Sequence, residues 1–127
     1  MTLSRNLYEE NIIDHYKRPR NHKVLDSYSV EASDENLLCG DKVKVQLKIE
    51  GGKIADIGFQ TEGCAICTAA ASMFSEEMIG KSLKEAEVAD QKLVLKLLGI
   101  EPGPARMGCA LLPLKVFKLA LHKFGRK

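Results

Sequence analysis

The feature that most constrains the fold is a pair of neighbouring segments in which apolar and polar residues alternate. Apolar residues occupy every second position in both, namely Val43, Val45, Leu47 and Ile49 in the first and Ala55, Ile57 and Phe59 in the second. A two-residue period is typical of a strand with one buried face, and the Gly51-Gly52 pair between the segments marks a turn. An antiparallel β-hairpin is therefore predicted.

The length of this turn decides which side chains share a face of the hairpin. A two-residue loop would pair Leu47 with Asp56 and put the two apolar faces on opposite sides of the sheet. A three-residue loop over residues 51–53 aligns the faces, through the pairs Ile49 with Ala55, Leu47 with Ile57 and Val45 with Phe59. Because a slip of one residue turns every side chain to the other face, we predict the three-residue loop, with a glycine in the left-handed region.

Helical patterns flank the hairpin on both sides. The sequence predicts a helix over residues 5–18, a first strand over residues 28–32, and later helices that begin at residue 64 or 65, at Ser82, at Asp90 and at Ala110. Pro113 is compatible with the last of these, placed at residues 110–123, only in its first turn. The order predicts an α+β fold, a three-stranded antiparallel sheet with an N-terminal helix and several C-terminal helices packed on one face. Residues 1–127 are expected to form a single domain.

Charge and hydropathy exclude two classes of function. The 19 basic and 17 acidic residues leave a formal net charge of +2, which is too small to indicate nucleic-acid binding. No apolar run approaches the roughly 20 residues that span a bilayer, and the first residues lack the apolar core of a signal peptide. A cytoplasmic protein is therefore expected, in which cysteines serve as metal ligands or catalysts more often than as disulfides.

Three of the four cysteines lie beside glycines at the boundaries of predicted elements. Cys39 precedes the first strand of the hairpin, Cys64 follows the second, and Cys109 starts the last helix. A helix N-terminus favours the thiolate, the form that binds metal and accepts sulfur. Together with Asp41, these thiols make a tetrahedral set for zinc or for a [2Fe–2S] cluster, expected at an exposed end of the domain. The alternatives are inert core cysteines and a turn aspartate.

Cys67 follows Cys64 by three residues, and three interpretations of it are open. A thioredoxin-like redox pair would need a βαβ context, and a four-cysteine zinc site would combine it with Cys39 and Cys109. We favour the third, a small side chain on a buried helix face. The histidines, His15, His22 and His122, are expected at the surface rather than as ligands.

In their order along the chain, these segments resemble the IscU/SufU/NifU amino-terminal family of iron–sulfur cluster assembly scaffolds. The matching segments are Leu7-Tyr8-Glu9, Ile13-Asp14-His15-Tyr16, Arg18-Pro19-Arg20-Asn21, Cys39-Gly40-Asp41, Gly63-Cys64-Ala65-Ile66, Ala71-Ser72-Met73 and Cys109-Ala110-Leu111-Leu112. The resemblance implies an IscU-like fold. It also implies that Cys39, Asp41, Cys64 and Cys109 hold a transient [2Fe–2S] cluster or Zn²⁺, and that Cys109 receives persulfide sulfur.

The resemblance further implies a function and its partners. The first expectation is a non-enzymatic scaffold that accepts sulfur from a cysteine desulfurase, binds iron, assembles a labile [2Fe–2S] cluster and transfers it to apo-proteins, with a chaperone or an iron donor as further partners. The alternative is a zinc-bound, SufU-type acceptor with sulfurtransferase activity, which relays persulfide sulfur.

The sequence has features of both branches of this family. Gly108 stands where IscU members carry a histidine, which favours the zinc-bound acceptor. The short span between Cys64 and Cys109 lacks the insertion of SufU members, which favours the scaffold. A purely structural zinc domain is a third alternative, but such sites are normally closed by cysteine and histidine rather than by a carboxylate.

Overall fold

The structure, a computed structural model, describes residues 2–37, 40–100 and 102–125 and places a three-stranded antiparallel sheet against helices. The elements in chain order are α1 (Thr2–Lys17), β1 (Val30–Asn36), β2 (Asp41–Glu50), β3 (Lys53–Glu62), α2 (Ala65–Met78), α3 (Leu83–Glu87), α4 (Gln91–Leu98) and α5 (Pro104–Gly125). The strands lie in the order β1-β2-β3. The predicted α+β fold is confirmed. Within the described ranges, no helix combines the length and the apolar character that crossing a membrane requires.

The β2–β3 hairpin has the predicted register at its centre but a shorter turn. Val45 pairs with Phe59, and Leu47 pairs with Ile57, so the two apolar faces coincide as predicted. The turn itself comprises two residues rather than three. Both are the glycines at 51 and 52, with φ of 60° and 75°, which matches a type I′ turn.

A β-bulge reconciles the two-residue turn with the aligned apolar faces. Lys48 pairs with Asp56 whereas Ile49 pairs with Ile54, so Ala55 is an extra residue on β3. The predicted pairing of Ile49 with Ala55 is therefore wrong. Ala55 is exposed, and Ile54 takes its place in the core, where it is fully buried.

One face of the sheet is covered by α2 and α5. The buried apolar residues of the three strands on which the core is built are Val30, Ala32, Val43, Val45, Leu47, Ile54, Ile57 and Phe59. Phe74 of α2 and Phe117 of α5 meet edge to face, with 4.9 Å between ring centroids and 84° between ring planes. That geometry suits the quadrupoles of two aromatic rings. The two helices are thus fixed to each other as well as to the sheet.

The short helices begin at the predicted residues. Ser82 caps α3 with a full capping box, in which its hydroxyl accepts from the Glu85 amide and the Glu85 side chain accepts from the Ser82 amide. Asp90 caps α4, and Gly99 ends it in the left-handed conformation with φ 71°. These local signals depend on neighbouring residues alone, which explains why the sequence predicts them well.

The last helix starts earlier than predicted. α5 begins at Pro104, so Pro113 lies inside the helix and not in its first turn. Proline suits a first helical position, which Pro104 occupies, whereas an interior proline lacks the N–H of a helical hydrogen bond. Burial of the helix face offsets that loss, since Val116 and Ala120 are fully buried. Cys109 therefore lies in the second turn of α5.

His15 is buried, which corrects its predicted position at the surface. Its ring lies between α1 and α2, where Nδ1 shares a 2.7 Å hydrogen bond with Ser72 Oγ. The same hydroxyl accepts a 2.8 Å bond from the backbone N–H of Arg20. A buried imidazole is tolerated when it is hydrogen-bonded, and this one joins α1, the segment after it and α2.

His15 is expected to make the fold less stable in mild acid. Burial lowers the pKa of His15 below its ordinary value of 6.5, and the Arg20 charge acts in the same direction. The unfolded chain then binds a proton that the folded chain does not, so the free energy of unfolding decreases as the pH falls below about 6.5. Urea titrations between about pH 7 and 5 should show this decrease in the wild type and in the control His122→Gln, and a smaller one in His15→Gln. Equal slopes in all three proteins would contradict this role of His15.

Candidate metal centre

Three strand ends and one helix meet at one end of the sheet. Because β2 is antiparallel to both neighbours, its first residues lie beside the last residues of β1 and β3. Asn36 pairs with Asp41, and Lys42 pairs with Glu62. α5 passes the same end, where Gly108 lies against the Asn36 side chain. The segments that carry the predicted ligands therefore converge here.

The Asp41 carboxylate is buried and is held by the start of α2. Its Oδ1 accepts a 3.1 Å hydrogen bond from the backbone N–H of Cys64, and its Oδ2 lies 3.8 Å from Cys64 Sγ. Cys64 is the N-cap of α2, and amides at this end of a helix have no acceptor within the helix. The carboxylate supplies one and is itself stabilised by the helix dipole.

Two glycines shape the backbone around this carboxylate. A Cβ at Gly63 would lie 2.1 Å from Asp41 Oδ1 and 2.6 Å from its Cγ, so only glycine lets the β3–α2 connection pass this close. Gly40 has φ 74°, a left-handed conformation, and its N–H donates a 2.7 Å bond to the Asn36 carbonyl. The chain thereby turns from β1 into β2 directly before Asp41.

Cys109 completes a cluster of three side chains that bind metals. One ligand atom each of Asp41, Cys64 and Cys109 lies within 4.8 Å of the others. Ligands at the roughly 2.0–2.3 Å bond lengths of zinc are about 3.5 Å apart in a tetrahedron, so small side-chain rotations would bring these atoms onto one ion. Two thiols and a carboxylate suit zinc or cluster iron. Cys39, the fourth predicted ligand, lies outside the described residues.

The cluster is more buried than predicted. Asp41 is 1% and Cys109 0% exposed, whereas Cys64 is partly exposed. The early start of α5 is one cause, because it puts Cys109 inside the helix, on the face that packs against the core. Among these three side chains, Cys64 is the one that solvent or a partner reaches first.

Cys67 lies fully buried in α2, in agreement with the interpretation that the sequence favours. The cluster found in the described part of the chain does not include it. The strands before α2 form an antiparallel hairpin, so the βαβ context of a thioredoxin-like pair is absent from residues 41–62. Cys67 therefore packs as a small core side chain.

Cys67→Ser is expected to bind as much metal as the wild type. The clustered ligand atoms come from other residues, and serine replaces sulfur by a hydroxyl of similar shape that can bond back to the preceding helical turn. We expect an unchanged metal-to-protein ratio by atomic emission and a stability loss of about 1–3 kcal/mol from the buried hydroxyl. Cys64→Ser, the same change one turn earlier, should lose most of the metal. Metal loss in Cys67→Ser would make Cys67 a ligand.

The histidines do not join this cluster. His22 is exposed as predicted, and its ring packs edge-on against Phe59 at 5.3 Å between centroids. His122 is also exposed, on α5. His15 is hydrogen-bonded to Ser72 of α2 and is not among the clustered residues. Over the described ranges, the candidate ligands are thus thiols and a carboxylate.

Asn36 is a residue of this site that the sequence does not predict. A Cβ at Gly108 would lie 2.6 Å from Asn36 Nδ2, so the carboxamide fills the space where a side chain at position 108 would start. Asparagine is ordinary at a strand end, and nothing in the sequence marks this one. Asn36 pairs with Asp41 across β1 and β2. The sequence does not predict the β1–β2 register, so it does not place Asn36 at this site.

Comparison with known proteins agrees with this geometry. The family model described as NifU-like N terminal domain matches residues 7–127. The chain belongs to the NifU-like N-terminal domain family. The match spans every segment that meets at the cluster, together with Cys39, and it confirms the resemblance inferred from the sequence.

Similar proteins carry two kinds of name. The chain is 32% identical over 134 residues to the zinc-dependent sulfurtransferase SufU of Bacillus subtilis (strain 168), covering 92% of this chain and 90% of that protein. It is 36% identical over 125 residues to the iron-sulfur cluster assembly enzyme IscU of Drosophila melanogaster, covering 95% of this chain and 80% of that protein. The crystal structure of the N-terminal part of a NifU-like protein from Brucella abortus has a TM-score of 0.79 at 21% identity, covering 94% of this chain and 95% of that one, a likeness of fold alone.

Proposed function

We propose that this protein is an iron–sulfur cluster assembly scaffold. It accepts sulfur from a cysteine desulfurase, binds iron, assembles a labile [2Fe–2S] cluster and transfers it to apo-proteins. The observation that carries the proposal is the approach of ligand atoms of Asp41, Cys64 and Cys109 to within 4.8 Å of one another, in a member of the NifU-like N-terminal domain family. The relationship to IscU of Drosophila melanogaster supports the same function.

The proposed ligands are Cys39, Asp41, Cys64 and Cys109. The last three are supported by their proximity, and Cys39 by its place in the sequence, two residues before Asp41. Three thiolates anchor cluster iron strongly, while a carboxylate is a harder and more readily exchanged ligand. This set suits a cargo that must be both held and released.

Cys109 is the proposed acceptor of sulfur. Its thiolate would attack the terminal sulfur of the desulfurase persulfide, forming an S–S bond at Cys109 while the desulfurase cysteine leaves as a thiolate. Because Cys109 is 0% exposed, this step requires the surrounding segments to move aside. Cys64 is the partly exposed thiol of the pair, so a donor reaches it before it reaches Cys109.

A second candidate function is a zinc-bound sulfur acceptor that relays persulfide sulfur without building a cluster. The 32% identity to a zinc-dependent sulfurtransferase favours it, as does Gly108, which offers no imidazole next to Cys109. A bound zinc ion would keep the thiols deprotonated, which is the reactive form. The same four residues would serve both functions.

The proposed partners follow from the two steps of the function, sulfur acceptance and cluster transfer. A cysteine desulfurase supplies the sulfur, and apo-proteins receive the product, with a chaperone or an iron donor assisting. All of these reactions depend on reduced thiols, which a cytoplasmic location provides.

Anaerobic reconstitution tests the proposal and separates the two candidates. The apo-protein is incubated with ferrous iron, cysteine and a cysteine desulfurase, and visible spectra and metal content are then recorded. The scaffold predicts a [2Fe–2S] chromophore that moves to an apo-ferredoxin on mixing. Tight zinc, persulfide on the protein by mass spectrometry and no chromophore would favour the relay. Absence of the chromophore, of zinc and of persulfide would overturn both.

A further inference from the structure

The end of β1 contributes an amide to the surroundings of the metal centre. Asn36 is the last residue of β1 and pairs with Asp41 across β1 and β2. Directly paired residues of antiparallel strands point to the same face of a sheet, and Asp41 points to the buried, helix-covered face. The side chain of Asn36 is thus on the face that carries the metal centre.

Contacts along α5 confirm this orientation. Two residues before Asn36 on the same face, Asp34 forms a 2.9 Å ion pair with Lys115 of α5. Further along, Lys123 Nζ donates a 2.7 Å bond to the Glu31 carbonyl. As β1 is followed from its end to its start, α5 therefore advances from Gly108 to Lys123, so the helix lies antiparallel along this edge strand.

Gly108 brings the Asn36 amide next to a candidate ligand. A Cβ at position 108 would lie 2.6 Å from Asn36 Nδ2 and 3.7 Å from its Cγ, so the amide nitrogen is the part of the side chain that points at the helix here. Gly108 directly precedes Cys109. Asn36 thus adjoins Cys109 through α5 and Asp41 through the strand pair.

The chemistry of the three clustered groups calls for a neutral donor. A carboxylate and thiolates are acceptors only, and they repel one another when ionised. A carboxamide supplies two N–H donors and no charge, and groups that bond to metal ligands orient them and tune their donor strength. Asn36 is half-buried, and together with Gly108 it lines a largely apolar groove of about 480 Å³ beside α5.

We propose that Asn36 is a positioning residue of the metal centre, which donates its side-chain N–H to the sulfur of Cys109. The inference rests on the proposed function, because it assumes that Asp41, Cys64 and Cys109 hold a metal. Gly108 is required for this arrangement, because a side chain at that position would displace the Asn36 amide. Neither residue touches the metal itself.

Cobalt(II) titrations test the inference, because the sulfur-to-cobalt charge-transfer band reports the donor strength of the thiolates directly. Asn36→Asp keeps the shape of the side chain but replaces the N–H donor by a negative charge, and it should weaken cobalt binding about tenfold or more. Asn36→Ala should move the band to lower energy, because a thiolate without its N–H partner donates more strongly. The control is Ser33→Asp, which adds the same charge on the exposed, opposite face of β1. It should change neither the cobalt affinity nor the position of the band.

A double-mutant cycle tests the contact with Gly108. Gly108→Ala should displace the amide and reproduce the band shift of Asn36→Ala. In the Asn36→Ala background the space is open, so Gly108→Ala should add no further shift and should raise Tm, because alanine is the better helix former.

The outcomes distinguish failure of the inference from failure of the proposed function. Wild-type affinity and band position in Asn36→Asp would make the side chain a packing element and overturn the inference alone. Tighter cobalt binding by Asn36→Asp would make residue 36 a direct ligand and also overturn it. A wild-type protein that binds no cobalt would overturn the proposed function and this inference with it.

Discussion

Gly63→Ala is expected to abolish tight metal binding. The added Cβ would lie 2.1 Å from Asp41 Oδ1 and 2.9 Å from Asp41 Cβ. The carboxylate cannot swing away cheaply, because Asp41 is 1% exposed and is bonded to the Cys64 amide at the start of α2. Because the carboxylate is held in place, the β3–α2 connection that carries Cys64 must shift. The Cys64 thiolate, one of the strong proposed ligands, then moves away from the other ligands, so we expect metal affinity to fall at least about 100-fold.

A matched glycine variant separates this effect from a general cost of alanine. Gly103→Ala meets nothing within 4 Å and lies before α5, away from the carboxylate. Competition for zinc against a chromophoric chelator measures the affinities, and thermal unfolding of the metal-free proteins measures the fold. Gly63→Ala should lose affinity by far more than Gly103→Ala does. Equal affinities for the two variants would show that Cys64 is not held at the metal by this connection.

Asp41→Ala is expected to slow the release of a reconstituted cluster. The carboxylate is the hardest of the four proposed ligands, so its bond to iron exchanges fastest and opens the position that an acceptor thiol attacks. Asp41 is buried, and alanine offers no oxygen there, so this exchangeable bond is lost. We expect transfer to an apo-ferredoxin to slow by about tenfold, which corresponds to about 1.4 kcal/mol in the barrier, with a longer cluster lifetime.

Asp41→Asn separates the ligand effect from the structural one. The asparagine carbonyl can still accept the Cys64 N–H, whereas alanine leaves that amide without its acceptor, at a cost of about 1–3 kcal/mol. Tm of the apo-protein should therefore fall for alanine and change little for asparagine, while both variants slow the transfer. Transfer at the wild-type rate, or failure of Asp41→Ala to assemble any cluster, would exclude Asp41 as the release ligand.

The parts of the fold that the sequence predicts depend on local or strictly periodic signals. The helix starts at Ser82 and Asp90 depend on side-chain caps within one helical turn. The β2–β3 register follows from the requirement that two apolar faces coincide. The bulge at Ala55 is not predicted because a two-residue turn and a bulge together satisfy the same requirement as a three-residue loop.

The errors arise where tertiary packing overrides a local preference. Pro113 favours a late start of α5, because proline is best tolerated in the first turn of a helix. Burial of Val116 and Ala120 nevertheless keeps the chain helical on both sides of Pro113. His15 is predicted at the surface because its hydrogen-bond partner, Ser72, is far away in the sequence. The family resemblance identifies Asp41, Cys64 and Cys109 as candidate ligands, whereas Asn36 and the space it fills at Gly108 become visible only through strand pairing and helix packing.

X-ray absorption at the zinc edge of the zinc-loaded protein tests the central claim most directly. The account predicts a single site with three sulfur ligands at about 2.3 Å and one oxygen ligand at about 2.0–2.2 Å, from Cys39, Cys64, Cys109 and Asp41. In Asp41→Ala the three sulfurs should remain, and the protein oxygen should be lost. Four sulfur ligands in the wild type, or an oxygen shell unchanged in Asp41→Ala, would contradict the proposed ligand set.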